Sequence, residues 1–170
     1  QLLSFLEDKR EDAGIVYCLS RKSTEEVADF LRGSGVNAIA YHAGQEADVR
    51  RANQNRFMTE AAVVMVATIA FGMGIDKPDI RYVCHLNLPS SIEAYYQEIG
   101  RAGRDGLPSD CVLFYSYGDK RKQEYFIDLI EDEAEQALAR KKLARVIAYC
   151  ENNSCRRKFL LEYFGEPWPA

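Results

Sequence analysis

Two arginines three residues apart, Arg101 and Arg104, stand in the run Gln97-Glu-Ile-Gly-Arg-Ala-Gly-Arg-Asp-Gly106. On a helical turn residues three apart share a face, so both guanidiniums are expected to point the same way. Gly100, Ala102 and Gly103 would then leave room for a partner to come close. Such a pair suits a polyanion, because a guanidinium fork meets phosphate oxygens two at a time and keeps its proton. The plainer alternative is a pair of surface ion pairs, Arg101 with Glu98 and Arg104 with Asp105, each contributing about 0 to 1 kcal/mol. Surface pairs have no need of a bare backbone, which favours the phosphate reading.

Further polar residues follow apolar runs. Ser20 and Arg21 come after Gly14-Ile-Val-Tyr-Cys18, His42 and Gly44 after the run ending at Tyr41, and Thr68 after Ala62-Val-Val-Met-Val-Ala67. If these runs are parallel strands, all three sets fall beyond their carboxyl ends, the edge where open α/β sheets take ligands. Hydroxyls, an imidazole and amides beside glycine make the positioning contacts that a sugar-phosphate backbone accepts, without reading base sequence. Each also has a plainer role: Thr68 as a cap, His42 as a satisfied buried ring, Ser20 as the start of a turn.

The elements that must carry these residues alternate. Leu2, Leu3, Phe5 and Leu6 have helical spacing, and Gly14 to Cys18 reads as a strand. Ser23-Thr-Glu-Glu26 predicts a capping box opening a helix through Leu31, with Gly33 and Gly35 closing it. Then come a strand over 36–41, a helix over 46–58 and a strand over 62–67. The loop Phe71-Gly-Met-Gly-Ile-Asp-Lys-Pro78 follows, then a strand over 81–85, a helix from Ser91 and a strand over 110–115. Continuous apolar strands alternating with helices predict an α/β fold, a parallel sheet with helices on both faces. After residue 117 only helical spacing remains, in three amphipathic stretches, so a small all-helical appendage is expected there.

At 170 residues and 47% hydrophobic the chain can bury one good core beside a smaller appendage. Neither a signal peptide nor an apolar run long enough to span a bilayer is evident, so no membrane is expected and the default location is cytoplasmic, nucleoid-associated, or nuclear in a eukaryote. The net charge of -4 excludes binding of nucleic acid through bulk positive field. Residues 117–170 balance ten basic against ten acidic side chains, leaving twelve and sixteen before them, so phosphate binding must be local. Five cysteines argue against a disulfide framework; Cys18, Cys84 and Cys111 lie in apolar runs and are expected in the core, whereas Cys150 and Cys155 flank polar residues.

Three segments together carry a family resemblance: Tyr41-His-Ala-Gly44, Val66-Ala-Thr-Ile-Ala-Phe-Gly-Met-Gly-Ile-Asp-Lys-Pro78, and Gln97 through Pro108. They resemble motifs IV, V and VI of the RecQ family of DNA helicases, ATP-dependent motors moving 3′ to 5′ in DNA recombination and repair. The resemblance implies that residues 1–116 form the second RecA-like lobe. Residues 117–170, with Cys155-Arg-Arg157 and Tyr163-Phe-Gly-Glu166, resemble the start of the family's zinc-binding domain. Carried over by position, Arg104 is similar to the arginine finger that reaches the γ-phosphate of ATP, with Arg101 and Gln97 in the same network. Asp76 and Gly74 are similar to nucleotide-contacting residues. Thr68, His42, Gly44, Ser20 and Arg21 match the surface that grips single-stranded DNA, beside partly duplex DNA.

Departures from the family pattern shape the remaining expectations. No Gly-x-x-x-x-Gly-Lys-Ser/Thr loop is present to cradle phosphates and hold Mg²⁺, so a separate first RecA-like lobe is the implied partner, and the chain alone is expected to be inactive as an ATPase. Asp132-Glu-Ala-Glu135 lies in a helical, charged stretch and reads as a solvated face. Cys155 is similar to the first of four Zn²⁺ ligands, and no zinc is expected on this chain, where that thiol should be exposed and oxidisable. Two rival readings are a stand-alone binding module without motor activity and the second lobe of an RNA helicase.

Overall fold

The computed structural model describes residues 1–72 and 75–168. Among them, strands β1 (Ala13–Tyr17), β2 (Ala38–Tyr41), β3 (Val64–Ala67), β4 (Ile80–His85) and β5 (Asp110–Leu113) form one sheet, ordered β2-β3-β1-β4-β5. Every pairing is parallel. All residues of β1 and β3 are buried, and so both faces of these strands read as apolar.

One face packs against α1 (Leu2–Leu6) and α2 (Arg21–Gly33): Leu6, Ala28 and Leu31 meet Val16, Val66, Tyr82 and Cys84. On the other face Ile15, Met65 and Val83 meet Phe57 of α3 (Ala47–Thr59), together with Phe71, Ile75 and, half-buried, Ile99 and Ala102. Ile99 ends α4 (Ile92–Ile99). The segment after β3 is thus anchored through Phe71, which stands edge-on to Tyr41 and Phe57 with ring centres 4.8 and 5.5 Å away. The expected parallel sheet with helices on both faces is what these residues build.

Two local expectations change. The helix after β1 begins earlier: Ser20 is its cap, its Oγ accepting from the Ser23 amide at 3.1 Å while Ser23 Oγ accepts from the Ser20 amide at 3.2 Å. Ser23 therefore closes the box from inside, and Glu26 pairs instead with Lys22 at 3.6 Å. Cys18 and Cys84 are buried as expected, but Cys111 is exposed, because β5 is the outer strand and Asp110 and Cys111 lie open on it.

A second compact unit comprises Leu88–Tyr96 together with the residues from Tyr115 onward. Its helices α5 (Tyr117–Asp128), α6 (Glu133–Cys150) and α7 (Arg156–Tyr163) bury Ile127, Leu143, Val146, Tyr149 and Leu160. Asp132 caps α6, its carboxylate accepting from the Glu135 amide at 2.7 Å, so the Asp-Glu-Ala-Glu stretch is the exposed start of a helix. The expected boundary near residue 117 follows chain order, whereas compactness groups residues 88–96 with the later helices.

Candidate functional site

The arginine pair is not carried by a helix. α4 stops at Ile99, and residues 100–105 turn back, with Gly103 at φ +63° and its amide donating to the Ile80 carbonyl at 2.9 Å. A Cβ on Gly103 would meet Ser109 Oγ at 2.7 Å, so its bareness serves the turn rather than an incoming ligand. Both guanidiniums nevertheless converge on the segment after β3. Arg101 Nη1 donates to the Gly72 carbonyl, and Arg104 Nη1 donates to the Ile75 carbonyl at 3.3 Å and to Asp76 Oδ1 at 3.0 Å. The bare backbone that admits an arginine is Gly72, at φ +150°, where an added Cβ would lie 2.2 Å from Arg101 Nη2.

The two carboxylates closest in sequence are committed elsewhere. Glu98 Oε2 lies 2.6 Å from His85 Nε2, with side chains only 10% and 3% exposed. Asp105 takes Arg81 Nη2 on both oxygens at 2.6 Å and accepts the Leu107 amide, and those contacts hold its carboxyl below the usual carboxylate range. Neither is left to neutralise Arg101 or Arg104, so the plain surface pairings do not form. Arg101 is half-buried, its Nε enclosed without a hydrogen-bond partner among the described residues. Beside it, burial pushes the Tyr17 hydroxyl up to about 12, with Arg101 opposing the rise, and Tyr17 donates to the Phe71 carbonyl at 3.2 Å. Arg104 and Asp76 instead sit on an open rim, their side chains 40% and 87% exposed. Gln97 is exposed and hydrogen-bonds neither arginine among the described residues; Gly74 lies outside the described residues.

Ser20, Arg21, His42 and Gly44 gather at the carboxyl ends of β1 and β2. Ser20 is spent as a helix cap; exposed Arg21 lies over Gly44, its Cδ and Nη1 each 3.0 Å from where a Gly44 Cβ would stand. His42 is buried and engaged at both ring nitrogens: Nδ1 accepts the Gly44 amide at 3.1 Å, and Nε2 lies 2.8 Å from Glu25 Oε1. Both ring nitrogens are thus spent on bracing the turn. Thr68 is half-buried at the end of β3, its amide donating to the Tyr41 carbonyl at 3.3 Å. Sequence reasoning missed Gly72, Tyr17 and Glu25; only the glycine-rich spelling around Gly72 carried any signal.

Cys155 is exposed as expected, at the start of α7, and Cys150 is half-buried. Among the described residues no three His, Cys, Asp or Glu side chains converge to hold a metal ion, so the residues present do not fit a zinc site. No helix among them is long and apolar enough to cross a membrane.

Residues 1–106 match the family model of the helicase conserved C-terminal domain, and residues 117–170 match that of the RecQ zinc-binding domain. The chain is 46% identical over 165 residues to the ATP-dependent DNA helicase RecQ of Bacillus subtilis, covering 97% of this chain and 28% of that one. It is 49% identical over 156 residues to the RecQ-like DNA helicase blm-1 of Caenorhabditis elegans, covering 91% and 16%. It therefore spans little more than a quarter of the bacterial relative. Among solved structures, the DEAD-box protein SrmB of Escherichia coli bound to regulator of ribonuclease activity A aligns at TM-score 0.61 and 26% identity, over 77% of each chain. A DEAD-box protein from Methanococcus jannaschii aligns at TM-score 0.61 and 27% identity, over 75% of this chain and 35% of that one. The expected RecA-like sheet is thus the observed one. With the helicase model covering four of the five strands, the RecQ zinc-binding model covering α5 to α7, and RecQ helicases 46 and 49% identical across nearly all of it, the chain belongs to the RecQ helicase family.

Proposed function

We propose that this chain is the nucleotide-completing, strand-gripping lobe of a RecQ-like, ATP-dependent 3′ to 5′ DNA helicase, with residues 1–116 as the second RecA-like lobe and residues 117–170 as the helical start of a zinc-binding domain. The observation that carries this reading is the convergence of Arg101 and Arg104 on the 71–76 segment, with Arg104 and Asp76 left on an open rim. Arg101, tied to the Gly72 carbonyl, braces the segment. Arg104 is the reaching group: released from Asp76, it meets charge developing on a transferring phosphoryl group, and Asp76 is left to accept from a ribose hydroxyl. ATP with Mg²⁺ supplies the phosphoanhydride bond that is cleaved, and its phosphate cradle belongs to a first lobe across the cleft. At the carboxyl edge, Thr68, the Gly44 turn and Arg21 meet the phosphates of single-stranded DNA, in the compartment that holds the genome. Lobe closure then links the two ligands.

In the complete protein, Arg104→Ala is expected to lower ATP hydrolysis about 10³-fold or more while leaving nucleotide affinity largely intact; normal hydrolysis by that variant removes the finger assignment. The chain alone is expected to show no ATP turnover, and turnover stimulated by single-stranded DNA would overturn the division of labour between lobes. Unwinding of DNA and RNA duplexes compared side by side tests the nucleic acid, since the aligned solved structures are DEAD-box proteins.

A further inference from the structure

The turn after β2 is held from outside by one carboxylate. Glu25, on α2, places Oε1 2.8 Å from His42 Nε2 and 3.2 Å from Gln45 Nε2, and so touches both ends of the 42–45 turn. Because Nδ1 of His42 accepts the Gly44 amide, that nitrogen carries no proton, and the ring proton stands on Nε2, where Glu25 accepts it. An ionised carboxylate only accepts, so it supports this ring orientation and not the flipped one. Turning the ring would set Cδ2–H against the Gly44 N–H and Cε1–H against Glu25, so both hydrogen bonds would be lost beside the turn on which Arg21 rests. Gln45 reinforces the arrangement by donating also to the Ala40 carbonyl and accepting the His42 amide, and Arg50 of α3 holds the Ala43 carbonyl at 3.1 Å.

We propose that Glu25 is a positioning residue for the strand-binding edge: through His42 it fixes the direction of the Gly44 amide and the seat of Arg21. The inference rests on the reading of this edge as DNA-facing, and two independent readouts separate them. The first is amide exchange and histidine nitrogen resonances by NMR on the chain itself. In Glu25→Ala, Gly44 exchange is expected to rise roughly 2- to 10-fold, the loss of about one hydrogen bond, with the change confined to residues 42–45 and the core strands unaffected. Glu25→Gln, whose carbonyl still accepts from Nε2–H, should restore wild-type exchange. In a His42→Phe background, Glu25→Ala should add nothing. The second readout is fluorescence anisotropy with a labelled oligodeoxythymidylate, where Glu25→Ala and His42→Phe should each weaken binding by the same roughly 2- to 10-fold factor. Unchanged Gly44 exchange in Glu25→Ala, or effects that add to those of His42→Phe, overturns the proposal. A released amide with unchanged strand affinity overturns its role in binding. If wild-type chain binds no oligonucleotide, the DNA-facing reading fails, while the exchange data still decide what Glu25 does to His42.

Discussion

Gly72 and Arg101 should behave as one energetic unit, and the Gly72→Ala change tests this directly. At φ +150° a side chain is strained, at a cost of about 1 to 3 kcal/mol. The new methyl would also stand 2.2 Å from Arg101 Nη2 and 2.5 Å from Cζ. The guanidinium is the mobile end of a long side chain and can move away, but it then gives up its charged hydrogen bond to the Gly72 carbonyl, about 1.5 to 3 kcal/mol. Together these make Gly72→Ala cost about 2.5 to 6 kcal/mol, against about 1.5 to 3 kcal/mol for Arg101→Ala alone. In the double variant the contact is lost only once, so it should be no less stable than Gly72→Ala, a coupling of about 1.5 to 3 kcal/mol. Urea unfolding followed by far-UV circular dichroism is the assay, because the single tryptophan, Trp168, belongs to the other unit. Costs that add within about 0.5 kcal/mol would refute the idea that Arg101 is seated on Gly72.

Other expectations follow from burial and charge. Cys18 and Cys84 are buried with thiols pushed up to about 12, so at pH 8 a maleimide should label exposed Cys155 while leaving those two unmodified until the chain unfolds. Tyr17 is raised to about 12 because the folded state keeps it neutral; its contribution to stability is complete below pH 10, the ordinary tyrosine value, and is lost as pH rises toward 12, which Tyr17→Phe should blunt in alkaline melts. Asp105 is depressed by Arg81, so its contribution is present above the ordinary carboxylate range and disappears as pH falls through its lowered value; acid unfolding of Asp105→Asn should be shallower over that interval. Glu98→Ala, which strips the buried carboxylate from His85, should cost about 1 to 3 kcal/mol in thermal unfolding.

The sheet was legible because β1 and β3 are apolar on both faces, a pattern that an α/β fold imposes on the sequence itself. Arg101 and Arg104 were legible by type and spacing, yet for a different geometric reason: the turn at Gly103, not a helical face, brings them to one segment. Their partners were hidden because each contact spans 28 or 29 residues, and no local pattern encodes it. Glu25 and His42 are likewise 17 residues apart, so only the folded turn shows that the imidazole is a brace. Cys111 misled because an apolar run on an outer strand reads like one in the middle of a sheet.

The resting partner of Arg104 is a carboxylate that faces water. Because such a pair is held by no more than about 1 kcal/mol, unlatching it is a minor toll. A hold that weak is screened by salt, so raising the ionic strength should by itself loosen the guanidinium from Asp76.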